Sequence, residues 1–387
     1  MSRLLIILCI LGTSMGSNAQ NDPMFLGGHV NDVTSVAYSP DGQYIVTGCW
    51  DGHVFVYYND STPTYYLSFA DHRSAVNTLA FSRDSRYLLT AGMDGEINKY
   101  YFPHPDSMDF IRLDTVYAFG TKPVNKVFYG PGLRMIFSGD DAGKFAAYDI
   151  KKKMNRDVNA NAPIKAFAVS IDRMHYFIAT KGSSDIVQYD ILGKEIRRFS
   201  GHQGEINDLE VTVDRKYLIS GSTDKTVKIW NLQTGKMAIS LSNHTWDVTA
   251  LSVDPYSRYV ASCGLDGTVN IYAIANGQLL RTFKNTNGRC NDIAFSPDLK
   301  SVIVGLHMDS PGEEGYGSNI WSTGLERPKA AAAEAGQSKA MQEAIKRATE
   351  RRKKAAASKK KKEAAKEKSS STTTIKETDQ IKISIDN

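Results

Sequence analysis

A histidine, a serine, an aspartate and a tryptophan share the stretch "GHQGEINDLEVTVDRKYLISGSTDKTVKIWN", residues 201–231. His202, Ser220 and Asp224 are the residue types of a nucleophilic triad, in which a base activates a hydroxyl and a carboxylate orients the base. Buried together, the same groups can instead satisfy one another's hydrogen bonds and hold a fold in place. Ser220 stands in no G-x-S-x-G elbow, and no oxyanion-loop motif accompanies it. The elements around these residues decide between the two roles.

Those elements repeat. "GHVNDVTSVAYSPDGQYIVTGCWDGHVFVYYN" begins at Gly28, "DHRSAVNTLAFSRDSRYLLTAGMDGEINKYY" at Asp71 and "NHTWDVTALSVDPYSRYVASCGLDGTVNIYA" at Asn243. Weaker copies contain "VNKVFYGPGLRMIFSGDDAGKFAAYD", "IKAFAVSIDRMHYFIATKGSSDIVQYD" and "CNDIAFSPDLKSVIVGL". The closing aromatics are Tyr57, Tyr100, Tyr148, Tyr189, Trp230, Tyr272 and Trp321, at intervals of 43, 48, 41, 41, 42 and 49 residues. Each copy reads as an alternating apolar strand, a turn, a second strand, a tight turn and a third strand. In the first copy Pro40-Asp41-Gly42 and Asp51-Gly52 supply the turns. A poorer fourth strand precedes each Gly-His or its substitute, as at Ile196–Phe199. Such a unit cannot bury both faces alone, so neighbours must stack, and seven of them predict a closed ring of four-stranded blades.

On these residues the chain resembles a WD-repeat β-propeller over roughly residues 24–324. The resemblance implies an all-β, seven-bladed propeller whose "MFL" segment, Met24–Leu26, fills the strand missing after Asn319-Ile320-Trp321. It also implies that His202, Ser220, Asp224 and Trp230 form a structural tetrad. His29, Thr47 and Asp51 match three of its four positions, as do His72, Thr90 and Asp94, and His244, Ser262 and Asp266. A catalytic triad would not recur blade after blade, so the expected protein is not an enzyme and takes no cofactor, metal or small-molecule substrate. Five closing aromatics are Tyr, whose hydroxyl cannot copy the indole N–H. Ala142 replaces the turn aspartate in blade three, Ser183 or Ser184 replaces it in blade four, and blade seven carries the insertion "HMDSPGEEGYGS", His307–Ser318.

Charge divides the 387-residue chain, whose net value is +5. Residues 326–387 hold 17 Lys+Arg against 9 Asp+Glu, a net of +8, and the remaining 30 basic and 33 acidic residues give −3. The Ala/Lys-rich tail predicts a helical (coiled-coil-like) or disordered extension with few bulky apolar residues. Residues 346–368 are its candidate contact with an anionic surface, whether membrane or nucleic acid. At the other end Arg3, the apolar run Leu4–Leu11 and Ser17-Asn18-Ala19 predict a secretory signal over residues 1–19, cleaved before Gln20. Cys49, Cys263 and Cys290 then remain, an odd set with no C-x-x-C pair, read as buried thiols.

The expected domains are therefore a signal at 1–19, a propeller at 20–325 and a basic tail at 326–387. The expected role is a non-catalytic scaffold docking other proteins in an exported complex: periplasm or cell envelope in a bacterium, the secretory pathway otherwise. Alternatives are an anionic-surface or nucleic-acid binder acting through the tail, and a glycan-binding or enzymatic propeller. No sialidase-type Asp box supports the last. The resemblance places docking on the narrower top face, where Trp50, Met93 and Leu265 precede turn aspartates. Trp246 stands just before an inner strand, and Asp32, Glu205 and Asp247 supply an acidic rim.

Overall fold

The structure, a computed structural model, describes residues 22–327 apart from 105–106, 108, 120–121, 131–133, 171–174, 286–287 and 310–314. The expected signal at 1–19 and the tail from Pro328 onward, including 346–368, lie outside the described residues.

Seven four-stranded antiparallel sheets form the blades of a propeller, as the repeat predicts. Six blades run from inner to outer strand in chain order. Blade five shows the pattern with Ile206–Val211, Tyr217–Ser222, Val227–Asn231 and Met237–Leu241. Its second strand alternates little, because Leu218–Ser222 is buried on both faces between neighbouring blades. The outer strand is the most exposed of the four, with Met237, Ala238 and Ser240 open to solvent.

Blade seven is composite. Arg289–Phe295, Ser301–His307 and Tyr316–Ser322 come from the end of the ring, and Met24–His29 supplies the outer strand. Met24 pairs with Ile320, Phe25 with Asn319 and Leu26 with Ser318. The insertion after His307 leaves the pairing of the flanking strands regular, from Ser301 with Ser322 to Gly305 with Ser318.

The core lies between blades. Ile219, Ile229 and Leu241 of blade five pack with Val248, Leu251 and Tyr272 of blade six. Trp230 packs across the previous junction with Phe177 and Phe199 of blade four. No blade buries its faces without both neighbours, which is why the ring must close. The approach is tight: a Cβ on Gly221 would lie 2.7 Å from Val248 Cγ1 of the next blade.

All seven inner strands carry a β-bulge in the same place, at Val33/Ser35, Val76/Thr78, Val124/Lys126, Ile164/Ala166, Ile206/Asp208, Val248/Ala250 and Cys290/Asp292. A bulge leaves one residue out of register and redirects its side chain. At six junctions that residue donates to a backbone carbonyl of the next blade. Thr34 donates to the Val76 carbonyl, Asn77 to Val124 at 3.0 Å and Asn125 to Ile164 at 2.8 Å. Asn207 donates to Val248 at 2.7 Å, Thr249 to Cys290 at 2.7 Å and Asn291 to Val33 at 2.9 Å. Blade four has Lys165 there, and its ammonium turns to Glu205 at 3.4 Å.

Candidate functional site

The four residue types of the opening stretch meet in a buried chain of hydrogen bonds. The Trp230 indole N–H donates to Ser220 Oγ at 2.9 Å, and Ser220 Oγ lies 2.7 Å from His202 Nε2. His202 Nδ1 lies 2.8 Å from Asp224 Oδ2. Burial lowers the His202 pKa despite Asp224, so the imidazole is neutral. One assignment then uses every proton: indole to serine, serine to Nε2, and Nδ1–H to Asp224. Asp224 also accepts from Thr226 and from the Gln203 amide, and its pKa falls to about 2 despite its burial. Ser220, spent on this chain and fully buried, has no approach for a substrate.

Blades two and six repeat the arrangement with Tyr as closing aromatic. His72 joins Thr90 at 2.6 Å and Asp94 at 2.9 Å, and His244 joins Ser262 at 2.8 Å and Asp266 at 3.1 Å. The hydroxyl that replaces the indole behaves differently in the two: Tyr100 donates to Asp71 at 2.9 Å, whereas the Tyr272 hydroxyl is buried without a hydrogen-bond partner. Blade one departs further. His29 meets Thr47 at 2.8 Å and the Tyr57 hydroxyl at 3.3 Å. Asp51 does not reach His29; its carboxylate pairs with His53 at 3.1 Å, the residue two places on, where the other blades carry Glu96, Thr226 or Thr268. Burial without that carboxylate drives the His29 pKa down to about 4. In blade three, where Ala142 occupies the aspartate position, Asp140 takes over the turn and accepts from Ala142 N at 3.0 Å and Lys144 N at 2.8 Å.

The loops entering the inner strands and the tight turns between second and third strands share one face, stitched by backbone bonds. Trp50 N donates to Asp32 O at 3.0 Å, Met93 N to Ala75 O at 2.9 Å and Leu265 N to Asp247 O at 2.9 Å. Trp50 is 54% and Trp246 55% exposed, whereas Trp230 and Trp321 are buried. Met93 is exposed, while Leu265 is half-buried. The acidic rim is less free than its sequence implies. Glu205 accepts from Gly182 N at 2.8 Å and faces Lys165, which lowers its pKa. Asp32 holds His307 Nδ1 at 2.5 Å and Met308 N at 2.9 Å. Asp247 stays half-exposed.

Beneath this face a charged cluster crosses the channel. Lys126 of blade three reaches blade five, meeting Asp208 at 2.5 Å, the Leu209 carbonyl at 3.1 Å and Glu210 at 3.7 Å. Asp292 of blade seven accepts from Ser35 Oγ at 2.8 Å and Val36 N at 2.9 Å. Burial raises Glu210 to about 7 and Asp292 to about 6, and it works against the Lys126 charge, which Asp208 and Glu210 nevertheless hold in place. The sequence reading missed this cluster, because its members lie on strands from three blades. It also missed the belt, whose signal is an Asn or Thr directly after the first apolar residue of an inner strand. Among the described residues no group of three or more His, Cys, Asp or Glu is arranged to hold a metal ion. Cys49, Cys263 and Cys290 are buried free thiols, and burial raises the pKa of Cys49 and of Cys263.

A ring of seven such blades, with tetrads joining loop to strand, defines a β-propeller built from repeats. Residues 22–57, 63–100, 193–231 and 235–273 match the family model "WD domain, G-beta repeat", and these matches support placing the chain in the WD40 repeat family. Among its relatives is the periodic tryptophan protein 2 homolog of Dictyostelium discoideum, 27% identical over 212 residues, which are 53% of this chain and 18% of that protein. Eukaryotic translation initiation factor 3 subunit I of Brugia malayi is 41% identical over 59 residues, 15% of this chain and 18% of its own length. The small ribosomal subunit protein RACK1 of Saccharomyces cerevisiae is 24% identical over 82 residues, 20% of this chain and 26% of its own length. The chain thus spans about a quarter or less of these relatives. The last two are named for eukaryotic translation initiation and the small ribosomal subunit, which points away from an exported location. The expectation of export, to a periplasm, an envelope or a secretory pathway, is corrected accordingly.

Proposed function

We propose that this protein is a non-catalytic scaffold that docks other proteins on the face carrying Trp50 and Trp246. The body that docks is taken as residues 20–325, with 326–387 as a separate basic extension. One contrast carries the reading. Two of the four tryptophans are buried in blade junctions, while the two on the loop face stand more than half exposed. Exposed tryptophan is costly unless something covers it, and it is enriched among residues that dominate binding energy. Met93, Leu265, Asp32, Glu205 and Asp247 complete the proposed surface. WD-repeat relatives named for multi-subunit assemblies, such as the initiation factor subunit and the ribosomal protein, support a scaffold role.

The test uses the purified chain immobilised as bait, with partners identified by mass spectrometry. The Trp50→Ala/Trp246→Ala double variant should lose at least ~2 kcal/mol of binding to its principal partner while its thermal midpoint holds. Full retention of that partner by a folded double variant rejects the surface.

A further inference from the structure

We propose that the channel mouth beside Trp50 receives the cationic side chain of a basic peptide segment of the docked partner, with arginine preferred over lysine. The inference rests on the loop-face reading above and adds the partner's chemistry.

A cavity of about 560 Å³ opens at the mouth between blades seven, one and two, with Trp50, Asn77, Asn291 and Thr34 among its lining. Hydrogen-bond bookkeeping fixes what that lining offers. Asn77 and Asn291 each donate one of their two amide N–H groups, to the Val124 and Val33 carbonyls, and the Thr34 hydroxyl donates to the Gly48 and Val76 carbonyls. What remains on these three side chains is mostly acceptor capacity: the lone pairs of two amide oxygens and a hydroxyl outnumber the one N–H left on each amide. Donor-rich groups match it, and a guanidinium carries five N–H donors in one plane. The Trp50 ring, 54% exposed, adds a face on which that plane can stack.

Charge selects the same ligand. Asp292 follows Asn291 in the strand, and Ser35, which follows Thr34, donates to it. Below the mouth Asp208, Glu210 and Asp292 stand against the single ammonium of Lys126, an excess of carboxylate over cation. Glu210 and Asp292 hold their protons more tightly than carboxylates in water, so an arriving cation would draw both toward the ionised form. A second mouth cavity, of about 500 Å³, is lined by Lys165 and Lys181 together with Asp141 and Asp247, so its charges offset one another.

The probes are three capped pentapeptides, glycine–serine–X–serine–glycine, with X arginine, its neutral isostere citrulline, or glutamate. They are titrated into the full chain by calorimetry and tryptophan fluorescence. The arginine peptide should bind at least ten-fold tighter than the citrulline peptide and bury the Trp50 signal. Trp50→Ala should weaken it at least ten-fold, and so should Asp292→Asn. Glu210→Gln replaces the latter if Asp292→Asn lowers the thermal midpoint. Equal binding of the citrulline peptide, tighter binding of the glutamate peptide, no measurable arginine binding, or indifference to Trp50→Ala overturns the proposal. If it falls while the Trp50/Trp246 double variant still loses its protein partner, the docking face stands and only the basic-peptide assignment is lost.

Discussion

Asn291 Nδ2 of blade seven donates to the backbone carbonyl of Val33 in blade one, 258 residues away, at 2.9 Å. It is the belt's contribution to the junction where the ring meets its own start. Asn291→Leu leaves that carbonyl without its partner and should lower stability by ~1–3 kcal/mol. Lys165→Leu, at the one junction where the belt residue makes a partly exposed ion pair instead, should cost under ~1 kcal/mol. Chemical denaturation of both variants checks the ordering, and equal losses would count against the belt.

The tetrads differ in how far they depend on their aspartate. Asp224→Asn removes the carboxylate that accepts from His202, Thr226 and the Gln203 amide, and should cost ~1–3 kcal/mol. Asp51→Asn, whose carboxylate faces the half-exposed His53 rather than His29, should cost less than half as much. A comparison of thermal midpoints decides, and a larger loss at Asp51 contradicts the geometry.

His29 makes stability depend on pH. Its pKa in the fold is about 4 against an ordinary 6.5, so the unfolded chain binds the proton first as pH falls. The stability it contributes is complete above pH 6.5 and is lost progressively toward pH 4, by ~3 kcal/mol in all. His29→Gln abolishes the titration. The stability gap between wild type and variant should therefore narrow between pH 7.5 and pH 4.5, and a constant gap would refute the assignment.

Gly221 tests the packing between blades. Valine there brings branched carbons against Val248, already 2.7 Å from the position of a Cβ. Gly221→Val should cost at least ~1–3 kcal/mol, the usual penalty for overpacking. An unchanged denaturation midpoint would show that blades five and six can separate at little cost.

The ring was legible because its signal is redundant: the strand pattern recurs at each aromatic from Tyr57 to Trp321. The surplus strand Met24–Leu26 was legible as well, since the last copy lacks one. The tetrad positions were visible, but the rotation of Asp51 toward His53 was not, because it is a competition between neighbours for one carboxylate. Asp140 serving the turn beside Ala142 was hidden for a similar reason, as a carboxylate two residues earlier can reach the same amides. Lys126 and Asp208 stand 82 residues apart, and no local pattern signals that a lysine will cross the channel. Trp50 and Trp246 stood out by size, while the acceptors beside Trp50 became apparent only once the bulges showed where each asparagine spends an N–H.

Met24–His29 is paired to Tyr316–Ser322, so the first described strand waits for the last. During synthesis some 290 residues must emerge before that sheet can form, and until then the leading strand has no edge to join. Ring closure is thus a late event with a large loop to close, a topology associated with slow folding. In the interval the unclosed ring exposes two apolar blade faces, the inward face of blade one with Val33 and Ile45 and the unfinished edge beyond blade six. A chain stalled before Tyr316 should for that reason be a ready client for chaperones and proteases, however stable the completed ring becomes.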